Sequence, residues 1–169
     1  MIVNKSFTAF LGSAWRLWLL LVWAAWWGGL CFYAVVVVPI GTRVVGGVEQ
    51  GFVTQAVTQV HNALSGLFLV CLLIEAGRRR SRALWTISAM LAVIDVALVT
   101  RHASLTGMMD FQHQTVPGGF YGEHAVYLWI TAVEWAMGLA VPVWLIILGD
   151  RAVQNSSDKG TQRRVPASS

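Results

Sequence analysis

Four long stretches with almost no charge limit what this chain can fold into. They cover about 16–40, 60–77, 83–101 and 124–148. Each is close to the roughly 20 apolar residues that an α-helix needs to cross the hydrocarbon layer of a bilayer. A soluble domain cannot absorb them: with 56% of its 169 residues hydrophobic and 12% charged, it would keep a large sticky exterior. The expectation is an all-α integral membrane protein, with a four-helix transmembrane domain over 1–150 and a disordered cytoplasmic tail over 151–169.

The first block reads as a retained helix, not a cleaved signal peptide. Its apolar core is too long, it carries five tryptophans between Trp15 and Trp27, and no small-residue cleavage site follows it. Pro39 and Gly41 are expected to end it at the far surface. Short connections make sequential helices antiparallel neighbours, which gives an up-down bundle. Charge orients that bundle. Ten basic residues (Lys5, Arg16, Arg78, Arg79, Arg80, Arg82, Arg151, Lys159, Arg163 and Arg164) fall on one side, against Arg43 and Arg101 on the other. By the positive-inside rule both termini and the arginine-rich connection are cytoplasmic, and the loops around Gly46 and Gly118 face out. The net charge of +4 does not point to nucleic acid, because the basic residues form short clusters beside apolar blocks. Antiparallel helices put Cys31 towards the outer half of the membrane and Cys71 towards the inner half, so free thiols are expected and a disulfide is not.

This topology gathers polar residues that lie far apart in sequence. His61 starts the second helix, His102 ends the third and His124 starts the fourth, so all three reach the outer layer. His113 lies in the outer loop. Heptad spacing puts Ser88, Asp95 and His102 on one stripe. His124, Tyr127, Thr131, Glu134 and Gly138 make a second stripe, and His61 shares a face with Ser65. An ionised carboxylate facing lipid costs several kcal/mol, so Asp95 and Glu134 are expected to point into the bundle. By helical rise they sit roughly 10 Å below His102 and roughly 15 Å below His124.

Imidazoles from separate helices can hold a transition metal or a haem iron. Met108, Met109 and His113 in the outer loop are ligand types that suit copper. The candidate metal ligands are therefore His61, His102, His124, His113, Met108 and Met109, with Asp95 and Glu134 as a proton or ion path beneath them. A plainer reading stands beside this one. Each histidine meets water and headgroups, and each carboxyl is a protonated acid bonded to a neighbouring helix. The spacing matches no strong metal motif. Arg43 and Arg101 have Glu123, Asp110 or an anionic headgroup as partners, and the cluster from Arg78 to Arg82 fixes topology beside anionic lipid. The tryptophans of the first helix pack on neighbours or lipid, or offer a stacking platform to a quinone or porphyrin. No nucleophile elbow, phosphate loop or dinucleotide fingerprint is present, so an enzyme is not expected.

The run WGGLCFYAVVVVP at 27–39 resembles the W-x-G-G-L-x-F-F-A-x-V-V-x-P opening of an uncharacterised family of small bacterial four-helix membrane proteins. That family is similar in turn to the membrane domain of copper-resistance D proteins. FYGEH at 120–124, leading into Tyr127, resembles the F-x-x-x-H start of the family's last helix. The resemblance implies a four-helix bundle in a bacterial inner membrane, and His124 is the position that carries over most directly. It assigns no role to His61, His102 or the Met108–His113 loop, and it implies no reaction.

The leading expectation is an outward-facing histidine site for copper or another transition metal, serving metal handling or membrane redox chemistry. One alternative is a structural or assembly subunit of a larger membrane complex or homo-oligomer. A haem-binding electron carrier is the other. Four helices leave little room for a gated transport path without oligomerisation.

Overall fold

The computed structural model describes the backbone of residues 5–162 and the side chains of 10–144. Nearly all of it is helical, and an isolated bridge between Asp110 and Thr115 is its one extended pairing among the described residues. Helix α1 covers Lys5–Phe32, α2 Val38–Val45, α3 Gly47–Arg79, α4 Arg82–Met108 and α5 Phe120–Gln162, with a π-helical turn at Tyr33–Val37 between α1 and α2. Four segments are long and apolar enough to cross a membrane: Phe10–Val45, Gly47–Arg79, Arg82–Met108 and Phe120–Trp144. Large apolar side chains such as Leu17, Val35, Val93 and Trp129 lie exposed on them. In water such surface would drive aggregation, and against acyl chains it is at home.

Pro39 and Gly41 do not end the first helix as expected. The chain instead widens into the π-helical turn, where the Val38 N–H bonds the Tyr33 carbonyl, and re-enters an α-helix with Pro39 in its first turn. A proline there removes no bond that the helix would otherwise make. The true break falls at Gly46, with φ 106° and ψ 159°, a conformation open in practice to glycine alone. A Cβ at Gly46 would also meet the Glu49 carboxylate. Gly46→Ala is expected to cost about 1–3 kcal/mol, read as a fall in the unfolding midpoint in detergent.

Helix α3 is the hub, packing on α1, α2 and α4. It ends at Arg80 in the left-handed conformation, and Ser81 caps α4 by accepting the Leu84 N–H at 3.4 Å. That two-residue turn lays α4 beside α3. Between α1 and α3 the indole of Trp26 is fully buried and stacks on Phe68, with ring centroids 4.9 Å apart. Leu19, Leu72, Leu84 and Leu91 complete this core.

Contacts divide the chain after Trp135. The carboxyls, the histidines and Arg16, Arg78 and Arg79 belong to the first unit; the second is the continuation of α5, which carries Pro142 inside the helix. All four long helices begin before the apolar blocks that signal them, α3 by thirteen residues. The stretch 151–162, expected as part of a disordered tail, is helical in its backbone. No proline interrupts it, so the hydrogen-bond ladder of α5 continues past the apolar block. Residues 163–169 of the expected tail lie outside the described residues.

Candidate functional site

Asp95 is the central residue of the 27-residue α4. At this depth a carboxyl has no water, and it must find a polar partner. That partner is Ser65 on α3, whose Oγ lies 2.7 Å from Asp95 Oδ1 and 2.8 Å from Glu134 Oε1 on α5. Ser65 and Glu134 are buried. Ser65 thus brings the two carboxyls together across one hydroxyl.

This geometry carries information about protons. A hydroxyl has one hydrogen, so Ser65 donates to one carboxylate oxygen. Its second short contact is satisfied without a shared hydrogen only where a protonated carboxyl donates to it. Two adjacent anions repel strongly in an apolar setting, and one proton on the cluster relieves that repulsion.

Above the cluster the polar residues continue. Thr131, one turn from Glu134, gives its hydroxyl hydrogen to the Tyr127 carbonyl at 3.0 Å. Tyr127 lies against both His102 and His124, each with ring centroids 6.4 Å away. His124 also stacks on Phe120 at 5.7 Å. These residues open on a cavity of about 330 Å³, whose lining includes His102, His124, Tyr127, Met109, Gln50 and Thr54. Past the carboxyls in the other direction the buried side chains are Phe68, Leu72, Leu84 and Leu91, interrupted by the Ser88 hydroxyl. Among the described residues the cavity lies at the histidine end, and mostly apolar side chains are buried on the other side of Asp95.

The expected metal ligands are dispersed. His102, His124 and Met109 share the cavity, whereas His61, His113 and Met108 are not in its lining. His61, one turn before Ser65, is stacked on Trp26 with centroids 6.4 Å apart. The buried Nε2 atoms of His61 and His102, and Asp95 Oδ2, make no hydrogen bond among the described residues. His113 is exposed in the loop, where its Nδ1 lies 2.8 Å from Asp110 Oδ2. Among the described residues no group of three or more His, Cys, Asp or Glu side chains is placed to hold a metal ion. Both cysteines are free, and Cys31 Sγ accepts the Trp135 indole N–H at 2.9 Å.

Comparison of the chain with protein families, curated proteins and solved structures finds no match.

Two neighbours of the site had only faint signals in sequence. Buried Gln50 donates from Nε2 to the Tyr33 hydroxyl at 3.2 Å, and Tyr33 donates to Thr54 at 2.9 Å, forming the cavity wall beside the π-helical turn. Gln50 and Thr54 are a polar pair one turn apart, which sequence alone reads as an interfacial stretch. Arg101 pairs with Glu123 and ties the histidine ends of α4 and α5 together.

In the loop between those helices, the hydrogen bond from His113 holds the Asp110 carboxyl below its ordinary range, with the His113 and Gln112 backbone N–H groups adding to it. A carboxyl lowered in this way stabilises the loop fully above its unfolded value of about 4, and the contribution is lost as pH falls through the lowered folded value. His113→Ala is expected to move the Asp110 titration upward, a shift visible by carboxyl-carbon NMR.

Proposed function

We propose that this chain is a multi-pass protein of a bacterial inner membrane. Its helices run up and down, both ends are cytoplasmic, and its outward-facing cavity exchanges protons with the carboxyl cluster at mid-bundle. The observation that carries the reading is the single Ser65 hydroxyl between Asp95 and Glu134, a contact pair that a carboxyl proton satisfies. Tyr127 and Thr131 supply hydroxyls between cavity and cluster, and the apolar layer below supports exchange with one side of the membrane only. Such a site makes ligand binding in the cavity proton-linked: a cation arriving near His102 and His124 favours proton release from the cluster, and an anion favours uptake.

Infrared difference spectroscopy on the purified protein tests the proton. The carbonyl stretch of a protonated carboxyl is expected at neutral pH and must change in Asp95→Asn and Glu134→Gln. Its absence from the parent protein would end this reading. The orientation has its own check. In a background lacking Cys31 and Cys71, a cysteine replacing Gly118 is expected to react with a membrane-impermeant thiol reagent in intact cells, and one replacing Gln154 only after lysis. The reverse pattern would invert the proposed topology.

A second reading has one observation in its favour, the common cavity of His102, His124 and Met109. These are copper-type ligands, and the resemblance to the copper-resistance D membrane domain runs in the same direction. Protein purified without chelator would then carry near-stoichiometric copper that is lost in His102→Ala/His124→Ala. A metal-free protein that fails to take up added copper removes this reading and leaves the proton cluster untouched.

A further inference from the structure

The opposite end of the bundle carries a site of different chemistry. Glu75 on α3 is buried, and its carboxylate accepts the Trp15 indole N–H from α1 at 2.8 Å. It also pairs with Arg79, and Arg78 Nε lies 3.6 Å away. The Arg78 guanidinium stands over the Trp15 ring, 5.5 Å from its centroid. With Gly12 and Arg16 these side chains line an open cavity of about 460 Å³.

The charge balance of this cavity is uneven. Three guanidinium groups and one carboxylate line it, and that carboxylate is already engaged by an indole and two arginines. Arg16 is exposed and makes no ion pair among the described residues. Glu75 and Trp15 hold Arg78 in place, so part of the ordering cost of binding is already met before a ligand arrives. Planar forks of N–H donors fixed around an open space match the geometry of a phosphate group. The cavity lies near the ends of two membrane-spanning helices, where headgroups reside. Next to Gly12 and Arg16 along α1, the side chains Leu11, Leu17 and Trp18 are exposed and apolar, a surface suited to an acyl chain.

We infer that Arg16, Arg78 and Arg79 form a binding site for a phosphate oxyanion, supplied by the headgroup of an anionic phospholipid. Glu75 and Trp15 are its positioning residues. The inference needs the membrane setting and is independent of the carboxyl cluster.

The test uses the full chain in mild detergent, with unfolding midpoints followed as phosphatidylglycerol or phosphatidylcholine is added. Phosphatidylglycerol is expected to raise the midpoint saturably, and phosphatidylcholine is expected to leave it unchanged. Two variants probe the site without unpairing Glu75. Arg16→Gln removes one donor fork and is expected to require about tenfold more phosphatidylglycerol for the same shift. Gly12→Met places a side chain in the cavity while every arginine stays, and a Cβ at Gly12 meets nothing within 4 Å. It is expected to abolish the shift. Both variants should match the parent midpoint in phosphatidylcholine. Equal midpoints in the two lipids, or variants that respond like the parent, overturn the site. An equal shift from inorganic phosphate alone overturns the lipid assignment and makes the soluble anion the ligand.

Discussion

The Glu134→Leu variant is expected to lose about 3 kcal/mol of stability, while Glu134→Gln folds as well as the parent. Leucine strips Ser65 of one partner and leaves Asp95 as a lone buried acid in the middle of α4. Glutamine keeps a carbonyl and adds an amide donor, so it can give Ser65 the hydrogen bond that a protonated carboxyl gives. Unfolding of the two variants in one detergent, side by side, makes the comparison. Equal losses would mean that position 134 needs a negative charge, and the shared proton would not exist. Ser65→Ala should fall between them, because both carboxyls keep each other as partners.

Trp26→Ala is expected to cost about 3–5 kcal/mol, the largest loss of any single truncation in the core. The indole is fully buried, stacked on Phe68 and His61, and it fills the space between α1 and α3. Within a bilayer this cost is almost purely one of packing, because lipid tails are as apolar as the vacated space. Trp26→Phe is therefore expected to restore much of the loss, as measured by the same unfolding midpoints. A small effect of Trp26→Ala would show that α1 is held by its ends, through Trp15–Glu75 and Tyr33–Thr54, and not along its length.

The four spans were legible because the absence of charge over a membrane's thickness is a property of the chain itself. The polar stripes were legible for a related reason, since helical spacing alone puts Asp95 under His102 and Glu134 under Tyr127. Helix ends were less so. Residues 47–59 carry Glu49, Gln50, Thr54, Gln55 and Thr58, so they look interfacial, yet nothing in them stops a backbone ladder from forming. Pro39 looked like a terminator because a proline withholds a donor, and a π-helical turn ahead of it sidesteps that loss. Ser65 was visible as a residue on the His61 face, but its place between two acids depends on the rotation of three helices about their axes. No spacing along one helix encodes that. The contact of Trp15 with Glu75 likewise depends on the register of α1 against α3.

A polar column that ends halfway through a bilayer is also an electrical element. Asp95 lies at the midpoint of α4, and the buried side chains beyond it are mostly apolar among the described residues. With the histidine end outward, a proton reaching the cluster descends through about half of the membrane field and gains about 1 kcal/mol per 100 mV of inside-negative potential. In the proposed orientation and at a fixed outer pH, an energised membrane would keep the cluster loaded and a depolarised one would let it empty, so the occupancy of the proposed serine-bridged proton would report voltage and acidity together.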